Sequence, residues 1–314
     1  MKAQIGQDIE KAAEILKNGG LVAIPTETVY GLAANALDAD AILKIFEAKN
    51  RPSFDPLIVH IGSINQLNLL ARTFPSEAEK LIEEFWPGPL TIVLPKTELV
   101  PDLVTSGLPS VGIRMPSHPL TQGLLSLLPF PLAAPSANPF GYISPTSAAH
   151  VADQLGDKVD YILDGGPSSV GVESTIISFE GDIPQILRWG GLALEEIEPF
   201  LRVFESSNQS SDNPSAPGML SSHYAPSKKI LIGSLDELIK SHRDEDCSYL
   251  SFQQAYEIPG EVLSQSGDMK EAARNLFAAL RRLDNTSGSL ILAEFVPNEG
   301  LGRAINDRLK RAAH

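Results

Sequence analysis

A single cysteine, Cys247, is present in the whole chain of 314 residues. That excludes an intrachain disulfide and any thiolate cluster, and it fits a reducing compartment. Cys247 itself reads as a small buried hydrophobe. Positive charge is scarce as well: 25 Lys and Arg stand against 39 Asp and Glu, a formal net charge of −14. A surface that acidic repels nucleic acid and anionic lipid, so an anion site has to be a local basic cluster. Long hydrophobic runs are also missing. The first residues, Met1-Lys2-Ala3-Gln4-Ile5-Gly6-Gln7-Asp8, hold no apolar export segment. The longest apolar region, Gly123 to Pro135, is broken by Pro129 and Pro131, too short to span a bilayer. A soluble, cytoplasmic protein without a membrane partner is expected.

Familiar nucleotide and hydrolase motifs are absent too. There is no GxxxxGK[ST] loop, no GxGxxG after a strand, no HExxH and no CxxC pair. No GxSxG elbow supports a serine hydrolase. If the chain binds a nucleotide, it uses another construction, and no metal ligand set can be assigned directly.

What is present is an ordinary globular composition, 43% hydrophobic and 20% charged, in a chain long enough for two domains. Helical spacing with caps predicts helices over 8–18, 39–48, 120–128, 144–155 (Ser144 as N-cap, Pro145 at the first position), 194–201, 235–242, 268–283 and 302–313. Buried-strand patterns predict strands over 21–25, 57–61, 90–95, 110–116, 132–134, 160–163, 174–179, 185–189, 229–233, 248–252 and 289–295. This alternation is an α/β reading, with a smaller three-layer, mostly parallel domain at the end. Residues 206–217 are Ser/Asn/Pro-rich and read as a linker. The boundaries expected are a catalytic domain over 1–203, a linker over 204–227 and a small α/β domain over 228–314.

The densest chemistry lies in Ala48-Lys49-Asn50-Arg51-Pro52-Ser53-Phe54-Asp55-Pro56-Leu57-Ile58-Val59-His60. In an extended segment Lys49 and Arg51 point the same way and would grip one anion together. Other polar groups stand at strand ends: Thr28, His60, Ser110, Arg114, Ser136, Asn138, Ser144, Ser174 and Arg188. Each alone has a plain explanation as a cap, a turn hydroxyl or a structural ion pair. Together they matter, because strand ends of an α/β sheet converge in space.

These residues stand in blocks: Thr26-Glu27-Thr28-Val29-Tyr30-Gly31-Leu32, Lys49-Asn50-Arg51-Pro52, Pro56-Leu57-Ile58-Val59-His60, Trp86-Pro87-Gly88-Pro89-Leu90-Thr91, Gly112-Ile113-Arg114-Met115-Pro116 and Ser136-Ala137-Asn138. In that order they resemble the YrdC-like family. His223-Tyr224-Ala225-Pro226 and the tail from Glu299 to Leu309 resemble its two-domain form. The resemblance implies a twisted, mixed open sheet with flanking helices, followed by a Rossmann-like C-terminal domain. It also implies synthesis of L-threonylcarbamoyl-AMP and pyrophosphate from L-threonine, bicarbonate and ATP, with Mg²⁺ accompanying the nucleotide. Separate proteins would then transfer the threonylcarbamoyl group to tRNA, so tRNA enters only indirectly.

Carried over residue by residue, the resemblance gives Lys49 and Arg51 the ATP phosphates. It gives Ser110, Ser136, Asn138 and Ser144 the nucleotide, and has Arg188 and Tyr224 close over it, with the linker as a lid. Thr28, His60, Arg114, Ala134 and Ser174 would hold threonine. Asp55 departs from the pattern, since family members often carry asparagine there; it could meet the magnesium or the nucleotide. Two other readings are open. An RNA-binding module is disfavoured by the acidity, and a carbamoyl-AMP-forming relative by the absence of acylphosphatase-like and zinc-finger segments.

Overall fold

The structure, a computed structural model, describes residues 3–181, 183–201, 203–205, 217 and 223–313. Eleven short strands build the larger sheet: β1 (Gln4–Gly6), β2 (Val22–Ile24), β3 (Gly31–Asn35), β4 (Ile58–His60), β5 (Leu90–Pro95), β6 (Ser110–Arg114), β7 (Leu132–Ala133), β8 (Tyr161–Leu163), β9 (Thr175–Ser178), β10 (Gln185–Arg188) and β11 (Phe204–Glu205). Their spatial order is β1-β8-β2-β3-β7-β4-β6-β5-β9-β10-β11. Parallel pairs such as β4–β6 and β5–β9 mix with antiparallel ones such as β2–β3 and β5–β6. Helices α1 (Ile9–Lys17), α2 (Ala39–Lys49), α3 (Ile64–Leu70), α4 (Ser76–Phe85), α5 (Asp102–Thr105), α6 (Pro119–Ser126), α7 (Ala148–Leu155) and α8 (Leu194–Ile197) accompany it.

Strand alternation decides which helix meets which face. Ala23, Leu32 and Ala34 pack into the cluster holding Ile42 and Ile45 of α2 and Leu81 of α4. Their neighbours Val22, Ile24 and Ala33 turn the other way, onto Leu16 of α1 and Leu124 of α6. The expected mixed open sheet is what forms.

A second sheet, β12 (Lys229–Ile232), β13 (Cys247–Ser251), β14 (Gly260–Val262) and β15 (Leu290–Ala293), runs in the order β12-β15-β13-β14 with every pairing parallel. Cys247, Tyr249, Leu290 and Leu292 cover Leu235 of α9 (Leu235–Ser241). On the opposite face Ile230, Leu250, Ile291 and Ala293 pack with α10 (Met269–Asp284) and α11 (Gly302–Ala312). These are the three expected layers.

Several local expectations are corrected. Strands β1, β3, β11 and β14 were not anticipated, β11 falling at the start of the expected linker; the Thr26–Leu32 block is a turn only up to Tyr30. Ser144 caps no helix: α7 starts at Ala148, where the Ser147 side chain accepts from His150 N. The backbone at 49–51 is not extended either. Lys49 is the last residue of α2, and Asn50 closes the helix in the left-handed region at φ 52°. Of the expected lid, residues 206–216 and 218–222 lie outside the described residues.

Candidate active site

Near the middle of the large sheet, a cavity of about 550 Å³ is lined by residues from at least six segments. Of the residues singled out in the sequence, it gathers Thr28, Arg51, His60, Arg114, Ala134, Ser136, Ser174, Arg188 and Tyr224. Register explains part of this: His60 ends β4 opposite Arg114 at the end of β6, so both project from adjacent parallel strand ends.

The other five stand around it. Lys49 is buried and donates its ammonium to the carbonyls of Ser136 and Asn138. The Asn138 amide is itself spent on the carbonyls of Pro139 (2.9 Å) and Tyr142 (2.8 Å). Asp55 lies behind Arg51, 2.9 Å from Nη2. Ser144 donates to Glu173, a cavity residue, at 2.6 Å. Ser110 lines a neighbouring cavity of about 300 Å³ that shares Ile58 and Pro217 with the first.

Arg51 is held by its own turn: Nε donates to Asp55 O (3.1 Å) and Nη2 to Pro56 O (2.8 Å). Arg114 is anchored on three sides, by Gly88 O, Thr28 Oγ1 (2.9 Å) and the Glu27 carboxylate (2.5 Å). Each of its terminal nitrogens carries two N–H groups and meets one of these acceptors, so two N–H groups are left over for an anion. Arg188 donates to Ser174 O and Oγ and to Pro217 O (2.9 Å).

The electrostatics follow from burial. Desolvation pushes the Lys49 ammonium well below its ordinary range, helped by Arg51 and opposed by Asp55. Desolvation likewise raises Asp55, against the pull of Arg51, Lys49 and Arg188. His60, buried beside Arg114, is lowered to about 3 and is a neutral imidazole at neutral pH. A group that weakly basic is a poor proton acceptor, so His60 does not fit the role of a general base. His223 is also held neutral, by burial and then by Arg51, Lys49, Arg308 and Arg188.

Four cavity residues or partners escaped sequence reasoning: Glu27, Glu173, His223 and Arg308. Glu27 and Glu173 left a trace, being acids beside Thr28 and Ser174 among apolar neighbours. Arg308 left none, because an arginine on an amphipathic helix ordinarily faces water. Tyr224 adopts a left-handed φ of 65°, a conformation costing roughly 1–3 kcal/mol in a bulky residue. Its ring is fixed by stacking on Phe277 (5.5 Å between centroids) and by Arg308 5.0 Å away.

The fold and cavity thus define a two-domain α/β protein that collects Arg51, Arg114 and Arg188 around one cavity of an acidic molecule. Comparison with known proteins specifies it further. Residues 14–190 match the Sua5/YciO/YrdC family model, described as telomere recombination, and residues 192–314 match a threonylcarbamoyl-AMP synthase C-terminal domain. A threonylcarbamoyl-AMP synthase of Pyrococcus abyssi is 46% identical, with 97% of this chain and 94% of that protein aligned. The Bacillus subtilis synthase is 42% identical over 97% and 92% of the two chains. The crystal structure of P. abyssi Sua5 complexed with L-threonine superposes with a TM-score of 0.93, at 43% identity, covering 100% of this chain and 98% of that one. The chain belongs to the Sua5/YciO/YrdC family, in its form with a Sua5 C-terminal domain.

Proposed function

We propose that this protein is a threonylcarbamoyl-AMP synthase, a nucleotidyl-transferring enzyme that uses L-threonine, bicarbonate and ATP. The observation that carries the reading is the convergence of Arg51, Arg114 and Arg188 on one cavity, each held in place by backbone carbonyls or side chains. Similarity to the synthases over nearly the whole chain supports it.

The chemistry balances without an enzyme nucleophile. Threonine's neutral amine and bicarbonate give a carbamate and water. A carbamate oxygen then forms a bond to the α-phosphorus of ATP as the bond to the β-phosphate oxygen breaks and pyrophosphate leaves. Arg114 takes the threonine carboxylate with its two remaining N–H groups, while Thr28, Ala134 and Ser174 border the amino acid. Neutral His60 contacts it without adding charge. Arg51 and Arg188 face the phosphates and stabilise the charge that develops on the leaving group, with Lys49 behind them and Ser110, Ser136, Asn138 and Ser144 on the nucleotide side. Burial disfavours the charged form of Lys49, and an arriving polyphosphate favours it.

Magnesium enters with the nucleotide. Asp55 is a buried carboxylate whose Oδ2 is ion-paired with Arg51 and whose Oδ1 has no hydrogen-bond partner, so Oδ1 is the oxygen that could meet such an ion. The ion would screen charge on the phosphates. Tyr224, buried and lining the cavity, closes that part of its wall against water, which a mixed anhydride requires. Downstream proteins carry the threonylcarbamoyl group to tRNA.

The test is pyrophosphate release from MgATP and bicarbonate with and without L-threonine. Threonine-dependent release is expected; release indifferent to threonine overturns the reading.

A further inference from the structure

The second domain has its own sheet and core, yet two of its arginines are buried in the first. Arg281 of α10 donates to the backbone oxygens of Ile143 and Ser144 and to Gln154 Oε1 (2.9 Å). Arg308 of α11 is fully buried, and its reach is longer. Its Nε donates to Glu173 Oε2 (2.9 Å), Nη2 to Trp189 O (2.9 Å) and Nη1 to Asp307 Oδ2 (2.6 Å). Its guanidinium also packs against the Tyr224 ring. Glu173 is a cavity residue whose other oxygen accepts a hydrogen bond from the Ser144 hydroxyl, and Trp189 directly follows Arg188.

We propose that Arg308 is a positioning residue for the nucleotide side of the cavity, acting through Glu173 on Ser144 and Arg188 and through its ring contact on Tyr224. The identity of the ligand rests on the function proposed above. The physical reason lies in charge. A carboxylate buried beside a polyphosphate site repels the ligand unless a cation answers it. The charged and titratable groups facing Glu173 are Arg308 and Asp307 on α11, Arg188 on β10 and Tyr224 ahead of β12. Arg308 answers Glu173 from behind, which leaves Arg188 bound to Ser174 and Pro217 at the cavity wall. Without Arg308, Arg188 becomes the remaining cation for Glu173 and is drawn off the ligand. On the threonine side Arg114, Thr28 and Glu27 have no contact with Arg308; Ser174, which follows Glu173 and is bonded by Arg188, is reached only indirectly and is held independently by the Thr91 hydroxyl at 2.7 Å.

The experiment measures MgATP binding by calorimetry, and KM for ATP and for threonine, across pH 6–9 in the full-length protein. Arg308→Met should weaken MgATP binding on the order of tenfold or more and leave the threonine KM within about twofold. Losing Arg308, the strongest of the groups that hold it down, raises the Glu173 pKa against its wild-type position, so ATP affinity in this variant should fall as pH rises through it. Adding Glu173→Gln should restore affinity and flatten the profile, which a purely structural role for Arg308 would not do. If Arg308→Met does not fold, Arg308→Lys tests the charge from the other side: it keeps a cation beside Glu173 and should hold MgATP affinity within a few-fold, and a loss of about tenfold in that folded variant overturns the proposal. Equal changes on both substrates, no change on either, or failure of Glu173→Gln to rescue a folded variant overturns the proposal. A wild-type protein without threonine-dependent pyrophosphate release would instead overturn the function, while MgATP binding would still report on Arg308.

Discussion

The two domains bury charge in opposite ways. Around the larger sheet Glu27, Lys49, Arg51, Asp55, His60, Arg114, Glu173 and Arg188 are all buried, and they face one cavity or one another. Among the described residues of the smaller domain, the buried charged side chains are Arg281 and Arg308, and both are spent on the first domain. Everything else on the inner faces of the smaller sheet is apolar or a small hydroxyl. Buried charge is costly unless paired, and a fold retains it where it does something. The larger domain therefore concentrates the buried charge around its cavity, and the smaller one lends two cations to it across the seam.

The sharpest break in that comparison is at Arg51. Arg51→Ala should lower threonine-dependent pyrophosphate release by roughly 10²–10³-fold. Fold integrity is not expected to survive untouched, because Asp55, fully buried, loses its partner at a cost of about 3–5 kcal/mol. Thermal unfolding of Arg51→Ala with Asp55→Asn separates the two effects: stability should return and activity should not. Recovery of activity in the double variant would show that Arg51 serves only Asp55.

The next test attacks the seam. Gly171 has φ +84°, and a β-carbon there would lie 2.3 Å from the Arg274 Cα of α10. Gly171→Ala should therefore cost about 1–2 kcal/mol in backbone conformation alone, and more from pushing α10 off the loop that leads to Glu173. The expected outcome is a lower melting temperature together with weaker MgATP binding. Loss of stability with intact binding would separate the seam from the site.

The smallest effect should come from Glu195→Gln. Its bridge to Arg303 also joins the two domains, at 2.6 Å, but the Glu195 side chain is 48% exposed. Exposed ion pairs contribute under about 1 kcal/mol. A shift of melting temperature near the noise is expected, against a large one for Arg308→Met. Comparable shifts would mean that burial is not what distinguishes these two inter-domain pairs.

Sequence alone determined a good deal. Strand and helix periods, caps such as Asp38, and the change of composition after Arg202 are local properties, readable because a period of two or 3.6 residues is imposed by backbone geometry itself. Nine of the residues picked for site chemistry do line the cavity, since strand ends in an α/β sheet have to converge. Tertiary structure decided the rest. Lys49 and Arg51 meet because Asn50 turns left-handed after α2, not because the chain is extended. Ser144 became a partner of Glu173 instead of a helix cap, and His60 lost its basicity to burial beside Arg114. Arg308, more than a hundred residues from Glu173 in sequence, could be found in no local pattern. Its position depends on how the two domains pack, and a buried ion pair across that seam exists only once they have done so.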